Sequence, residues 1–460
     1  MANNSRKFDF DLVVIGSGAA GAVAAEIVAA SGRRVAVVES EAFGGYTPNF
    51  GEIPRRAVLN AAHEFSRLRW SANFGLRTNA VGYNFPAIRD WKNIAIRRSG
   101  AGRTVEYLHK QNIRVVRGRA HFISRNEISL GSHHISSHKF LIATGSSLDL
   151  PNIANLENID YLTPDKALET NRPPKTLAII GGGATGVELA ELFAIFGTKV
   201  YLLEKNSRIL SNFDEMVSSE VSALLSKKHG VEIVDSAQVL SVTNDGPAVK
   251  LRYLRGEGEK ILKAERILIA TGSKPNTDIG LISAKVECDE NGIITNDFLQ
   301  TSAPNIFAAG DVISRNSLGI DVAGAIYQSQ IAGYNLIHRT GRTAFAKVMP
   351  RVIWTDPMIA SIGLSEQQLK RQKVKFTSSI IKNSVLTRAN IENSPAGFAK
   401  VLRGPEGEIF GASIMSPSAI EELSGVALAM QNDLTSQQLL EVIQPFGSWS
   451  EALRLALLKK

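Results

Sequence analysis

The chain has 460 residues, 44% of them apolar and 21% charged, enough at about 150 residues per domain for roughly three domains with substantial cores. That profile excludes disordered, collagen-like and mucin-like chains; no apolar run approaches the ~18 residues that cross a bilayer, and residues 1–12 are too polar for a signal-peptide core, so a cytoplasmic location without a membrane span is expected. The net charge of +8 favours anionic partners only weakly and does not imply nucleic-acid binding.

The first element is a buried strand, Leu12–Ile15, that runs into the glycine turn Gly16, Gly18, Gly21, an alanine-rich helix and a second strand ending at Glu39. Basic residues then dominate: Arg55, Arg56, Arg67, Arg69, Arg77, Arg89, Lys92, Arg97, Arg98, Arg103 and Lys110 are opposed only by Glu52, Glu64, Asp90 and Glu106. The segment FLIATG reads as a strand that stops at Thr144 and Gly145, and the stretch Asn152–Pro174 reads as a boundary. After it, TLAIIGGGATGVELAELFAIFGTKVYLLEK repeats the opening pattern about 165 residues on, with Gly181, Gly183, Gly186 and a strand ending at Glu204. A second strand-and-turn segment, ILIATG, ends at Gly272, and TSAPNIFAAGDV places Gly310 and Asp311 just after a buried strand. Further boundaries are expected at Lys274–Asp278 and Thr340–Pro350. Beyond Pro350, strands at Phe398–Leu402 and Ile409–Ile414 mix with helices at Ser418–Gln431 and Ser450–Leu458, an α+β texture.

Each glycine turn fits a dinucleotide. The first glycine makes the tight turn, the second lets backbone amides approach a pyrophosphate, and the third lets helix and strand pack closely. Phosphate then sits at the positive helix N-terminus, and the acid ending the second strand, Glu39 or Glu204, accepts from adenosine ribose hydroxyls. Two Rossmann-like α/β units in one chain imply two different dinucleotides.

In the order and spacing of both glycine turns, both ATG segments, Asp311, PRVIWTDPMIASIGLSE and GFAKV, the chain resembles the flavoprotein pyridine nucleotide-disulfide oxidoreductases over nearly its whole length. The resemblance implies FAD in the first unit, with Glu39 on the ribose and Asp311 on the flavin side, and the nicotinamide cofactor in the second. The expected fold is α/β: residues 1–151 and 276–345 form the FAD-binding and central parts, 152–275 the NAD(P)-binding domain, and 346–460 an α+β dimerisation domain of a homodimer that completes each active site from the partner chain. NADH is expected in preference to NADPH, because Glu204 accepts from a free 2′-hydroxyl and repels a 2′-phosphate, with Lys205 and Arg208 nearby as opposing charges.

The resemblance breaks at two places. Where the family has G-G-x-C-x-x-x-x-C-x-P-S-K, this chain has GGYTPNFGEIPRRA, with Thr47 and Glu52 at the cysteines and Arg56 at the lysine. The one cysteine, Cys288, permits no intramolecular disulfide or two-thiol centre. Near the C-terminus, Phe446 stands at the histidine that shuttles the thiol proton in the family, and an apolar ring transfers no proton. Glu52 then has two readings: half of a charge pair with Arg56 that fills the vacated space, or a proton donor to a bound acceptor. Tyr46 and Trp449 are candidates to line an acceptor cavity. The resemblance also places Glu188 where the family pairs a glutamate with its lysine, here Arg56, and Ala184 where some members carry a bulky gate.

The leading expectation is an FAD-dependent NAD(P)H:acceptor oxidoreductase that passes electrons directly from flavin to a small-molecule or redox-protein acceptor, with an anionic one favoured if the basic run steers it. The alternatives are a soluble pyridine nucleotide transhydrogenase and a non-catalytic flavin-bearing interaction or sensing protein. The spacing of His133, His134 and His138 fits no common zinc framework, and no metal is expected.

Overall fold

The computed structural model describes residues 8–77, 80–99, 105–314, 321–338 and 340–459. The chain divides into two compact units: one comprises the residues up to Ala57, Asp90–Asp149 and Gly272–Phe345, the other Val58–Arg89, Leu150–Thr271 and Ala346–Lys460.

In the first unit, parallel strands lie in the order Ile113–Arg117, Val35–Glu39, Phe10–Ile15, His133–Ile142 and Ile306–Ala308. Val14 sits beside Val37 on one side and Leu141 on the other, so these strands are apolar on both faces rather than alternating. The start of His133–Ile142 leaves the parallel sheet and pairs antiparallel with Glu127–Leu130, which pairs with His121–Ser124. His133, His134 and His138 are exposed on that strand. Cys288 is exposed on the short strand Cys288–Asp289.

The second unit holds another parallel sheet, in the order Glu232–Val234, Lys199–Leu203, Thr176–Ile180 and Arg266–Ile269, and a three-stranded antiparallel sheet spanning residues 237–264. The strand expected to end at Glu204 ends at Leu203, while the Glu204 N–H still donates to Val234 O. The C-terminal part of this unit is a five-stranded antiparallel sheet in the order Arg351–Ile353, Met358–Gly363, Ile409–Ser416, Phe398–Arg403 and Thr377–Lys382. Helices Ala419–Gln431 and Glu451–Leu458 pack on it through Leu423, Val426, Leu453 and Leu457. The α/β class, the two nucleotide-binding sheets and the α+β tail are thus all present.

Candidate active site

The two glycine turns are built alike. Gly16 and Gly181 have φ of +101° and +115°, and a Cβ on either would lie 2.2 or 2.3 Å from the carbonyl oxygen of Ala143 or Ala270. A Cβ on Gly21 or Gly186 would lie 2.0 or 1.9 Å from the carbonyl oxygen of Gly16 or Gly181, so only glycine lets each helix start against its strand. The middle glycines differ. Gly18 and Gly183, the N-caps of helices Ala19–Ala30 and Ala184–Ile195, have φ of −67° and −74°, which any residue adopts. A Cβ on Gly18 would meet nothing closer than 3.9 Å, and one on Gly183 nothing within 4 Å. Neither backbone nor packing demands glycine there. What remains is open space at a helix N-terminus, a cradle that fits a diphosphate.

The acids close the turns in the same way. Glu39 Oε2 accepts from Ser17 N–H at 2.9 Å and Ser17 Oγ at 2.7 Å, while Oε1 accepts from Glu41 N–H at 2.9 Å. Glu204 Oε2 accepts from Gly182 N–H at 2.7 Å, and its Oε1 from Asn206 N–H and Nδ2 at 2.8 and 2.6 Å. A carboxylate offers about four acceptor sites, so each acid keeps capacity for a ribose hydroxyl. Ser17 and Asn206, invisible to a glycine-and-acid pattern, are what orient these carboxylates. The guanidinium of Arg208 is spent on the carbonyls of Leu210, Ser211 and Phe213, at 2.9–3.2 Å.

In the first unit the strand ends converge. Thr144 Oγ1 donates to Asn276 O at 2.7 Å, Asn276 Nδ2 returns to Thr144 O at 2.9 Å, and Asn276 N–H reaches Gly145 O at 3.0 Å. Asp311 accepts from Ser146 Oγ at 2.9 Å, and Gly310 N–H donates to Gln328 Oε1 at 2.8 Å. Gly272 O receives Asp149 N–H at 3.0 Å. Asn276, Ser146 and Gln328 carry this network, and only the fold reveals them, because each acts through backbone or carboxylate groups distant in sequence.

The segment that departs from the family pattern is also in the first unit. Gly45 lies against the first turn, where its Cβ would sit 2.6 Å from Gly18 Cα, and the short helix Tyr46–Asn49 follows. The Tyr46 and Phe50 rings, both partly exposed, lie 6.2 Å apart. The long helix Glu52–Trp70 begins next, and Glu52 and Arg56 form a partly exposed ion pair at 2.5 Å.

Glu188 belongs to the second unit, fully buried, where Oε1 accepts from Trp354 N–H at 3.0 Å. One turn further on, Glu191 accepts from Asp356 N–H, with His63 and His229 at 3.1 and 3.3 Å. Burial pushes the Glu191 carboxyl up, but hydrogen bonds from His229 and His63 outweigh it and hold the group down at about 2.

Two expectations need correction. Trp449 is buried in the core of the C-terminal sheet and helices, so its ring is packing, not a cavity wall. Lys92 is buried, so it contributes no charge to a solvated basic face; Arg67 is paired with Glu64 at 2.8 Å, and Arg103 lies outside the described residues. Phe446, by contrast, is 85% exposed. Among the described residues no group of three or more His, Cys, Asp or Glu is placed to hold a metal, and no helix is long and apolar enough to cross a membrane.

Comparison with known proteins places residues 10–334 in the family described as pyridine nucleotide-disulphide oxidoreductase and residues 349–457 in that family's dimerisation domain. The chain belongs to the pyridine nucleotide-disulphide oxidoreductases. It is 32% identical over 460 residues to a mercuric reductase of Staphylococcus aureus, covering 99% of this chain and 83% of that protein. It is also 32% identical over 450 residues to the dihydrolipoyl dehydrogenase of Bacillus subtilis, covering 96% and 94%. A solved structure of the HOCl-induced flavoprotein disulfide reductase RclA from Escherichia coli, 24% identical, superposes with a TM-score of 0.85 over 97% of this chain and 99% of that one, which shows the shared fold. The family binds FAD and uses NAD(P)H, and the C-terminal domain supports a homodimer.

Proposed function

We propose that this family member is an FAD-dependent NAD(P)H:acceptor oxidoreductase that delivers electrons from flavin to its acceptor without a dithiol relay. The observation that carries the reading is the cysteine count: Cys288 is the sole cysteine, and Thr47 and Glu52 occupy the positions where the resemblance expects the reactive pair. Neither a hydroxyl nor a carboxylate stores two electrons as a disulfide does. FAD, when bound, supplies the two-electron chemistry.

The remaining roles fall to the chain's own residues. Gly16, Gly18, Gly21, Glu39, Thr144, Gly145, Gly272, Gly310 and Asp311 hold FAD, and Gly181, Gly183, Gly186 and Glu204 hold the nicotinamide dinucleotide. Glu52, ion-paired with Arg56, donates a proton to the reduced acceptor. Glu188 completes the nicotinamide side as a buried, backbone-bonded acid. NADH is preferred: Glu204 sits at the ribose position, and Arg208, the nearest candidate for a 2′-phosphate, is occupied by three carbonyls. The domains divide at 151/152, 275/276 and 345/346, the protein works as a homodimer in the cytoplasm, and the acceptor is a small molecule or redox protein, anionic by preference.

The test is anaerobic. NADH should bleach the flavin, quinone or dye acceptors should restore its colour, and lipoamide, glutathione disulfide and mercuric ion should not. Turnover of any of those last three would refute the reading, and a flavin that NADH does not bleach would leave a non-catalytic protein.

A further inference from the structure

The helix Glu52–Trp70 outruns the core it is built on. Its middle is anchored in the second unit, where Val58, Leu59 and Ala62 are buried and Phe65 stacks on Phe196 with ring centroids 5.9 Å apart. From Arg67 onward nothing in the last turn is buried, and the following 3₁₀ turn, Ser71–Phe74, has no buried residue either. Within nine residues this tip shows Leu68, Trp70, Phe74 and Leu76, each between 51% and 61% exposed. Single exposed apolar residues need no explanation, but four large ones on one short tip do.

The charges on the tip indicate what covers it. Arg67, Arg69 and Arg77 alternate with the apolar side chains, and the one acid in the stretch, Glu64, is taken up by Arg67. Arg69 lies with its guanidinium 5.7 Å from the Phe65 ring centroid, its stem against the helix and its charge at the surface. Aromatic and leucine side chains interleaved with arginine match the boundary of an anionic bilayer, where rings enter the headgroup layer and guanidinium groups meet phosphate. A two-fold contact between copies would set the same patch against itself and bring arginine to arginine.

We propose that the Arg67–Arg77 tip docks the protein peripherally on membranes bearing anionic lipid. This surface is independent of the proposed reaction. The apolar side chains give the attachment and the arginines its selectivity, each contributing about five-fold in partitioning near an anionic surface.

The experiment is flotation of the full-length, FAD-loaded protein with vesicles of phosphatidylcholine containing roughly 30% phosphatidylglycerol, and with phosphatidylcholine alone. Partitioning should be at least about ten-fold stronger on the anionic vesicles and should weaken with salt. It should fall by about ten-fold or more both in Trp70→Ala/Phe74→Ala and in Arg67→Glu/Arg69→Glu, with circular dichroism and flavin content unchanged. Trp70→Phe should keep binding and lose the quenching that brominated lipid exerts on tryptophan fluorescence. No partitioning of the wild type, or equal partitioning of the Trp70→Ala/Phe74→Ala variant, would overturn the proposal. So would a drop in mass by light scattering in that variant without any vesicle binding by the wild type, which would assign the tip to a second copy of the chain. None of these results depends on turnover, so their failure is separate from failure of the oxidoreductase reading.

Discussion

Glu52 and Arg56 sit four residues apart on the first turns of the helix Glu52–Trp70 and close an ion pair at 2.5 Å. Both groups are partly exposed, so the pair is worth only about 0.3–0.5 kcal/mol to folding. Glu52→Gln should therefore leave flavin content and thermal midpoint nearly unchanged. If Glu52 supplies the acceptor's proton, flavin reoxidation by a quinone slows by about 10²-fold while flavin reduction by NADH keeps its rate. Equal rates in both half-reactions would reduce the pair to a filler of the space.

Gly18 and Gly183 separate cofactor demand from folding demand. Because an added Cβ meets no protein atom within 3.8 Å at either position, Gly18→Ala and Gly183→Ala should fold normally. Gly18→Ala should lose FAD on dialysis, and Gly183→Ala should keep FAD but show a raised KM for NADH. Gly21→Ala, whose Cβ would lie 2.0 Å from Gly16 O, should fail to fold or fold without flavin. Unchanged flavin retention in Gly18→Ala would remove the diphosphate from that cradle.

Nicotinamide choice is read from kcat/KM for the two cofactors. Wild type should favour NADH by about ten-fold or more, and Glu204→Ala should narrow the ratio. Arg208→Ala should leave the ratio alone, because that guanidinium already serves Leu210, Ser211 and Phe213. A preference for NADPH in wild type would show that Lys205 outweighs the acid.

Two buried carboxyls give stability opposite pH dependences. Glu191, held at about 2 against an ordinary 4.5, stabilises the fold above pH ~4.5 and loses that contribution as pH falls toward 2. The contribution is on the order of 3 kcal/mol, so Glu191→Gln should lower the melting temperature at pH 6 and converge on wild type in acid. Glu422 is pushed up to about 7, chiefly by burial and further by Glu421, against a hydrogen bond from Ser416. Its folded pKa lies above its unfolded one, so its contribution is complete below pH ~4.5 and is lost as pH rises through 7. Glu422→Gln should raise the melting temperature at pH 8 more than at pH 5; the reverse order would contradict this assignment.

The legible parts of the molecule were those that local chemistry dictates. A glycine whose Cβ would strike a carbonyl, as at Gly16 and Gly21, leaves a spacing that repeats at Gly181 and Gly186, and apolar strands buried on both faces stand out in composition. Hidden from sequence were the long-range pairings. Asn276 meets Thr144 and Glu191 meets His63 and His229 only after the chain has folded. Lys92 counts as surface charge in any sequence and is buried in the structure, and Trp449 lies in the core, because burial is a property of packing that a charge or ring tally does not contain.

The central claim, that this family member has no dithiol between flavin and acceptor, is tested most directly by counting electrons. In an anaerobic dithionite titration the purified protein should take up two electrons per FAD and reach full bleaching with no further uptake. Uptake of four electrons per FAD, the capacity of a flavin together with a disulfide, would contradict the account.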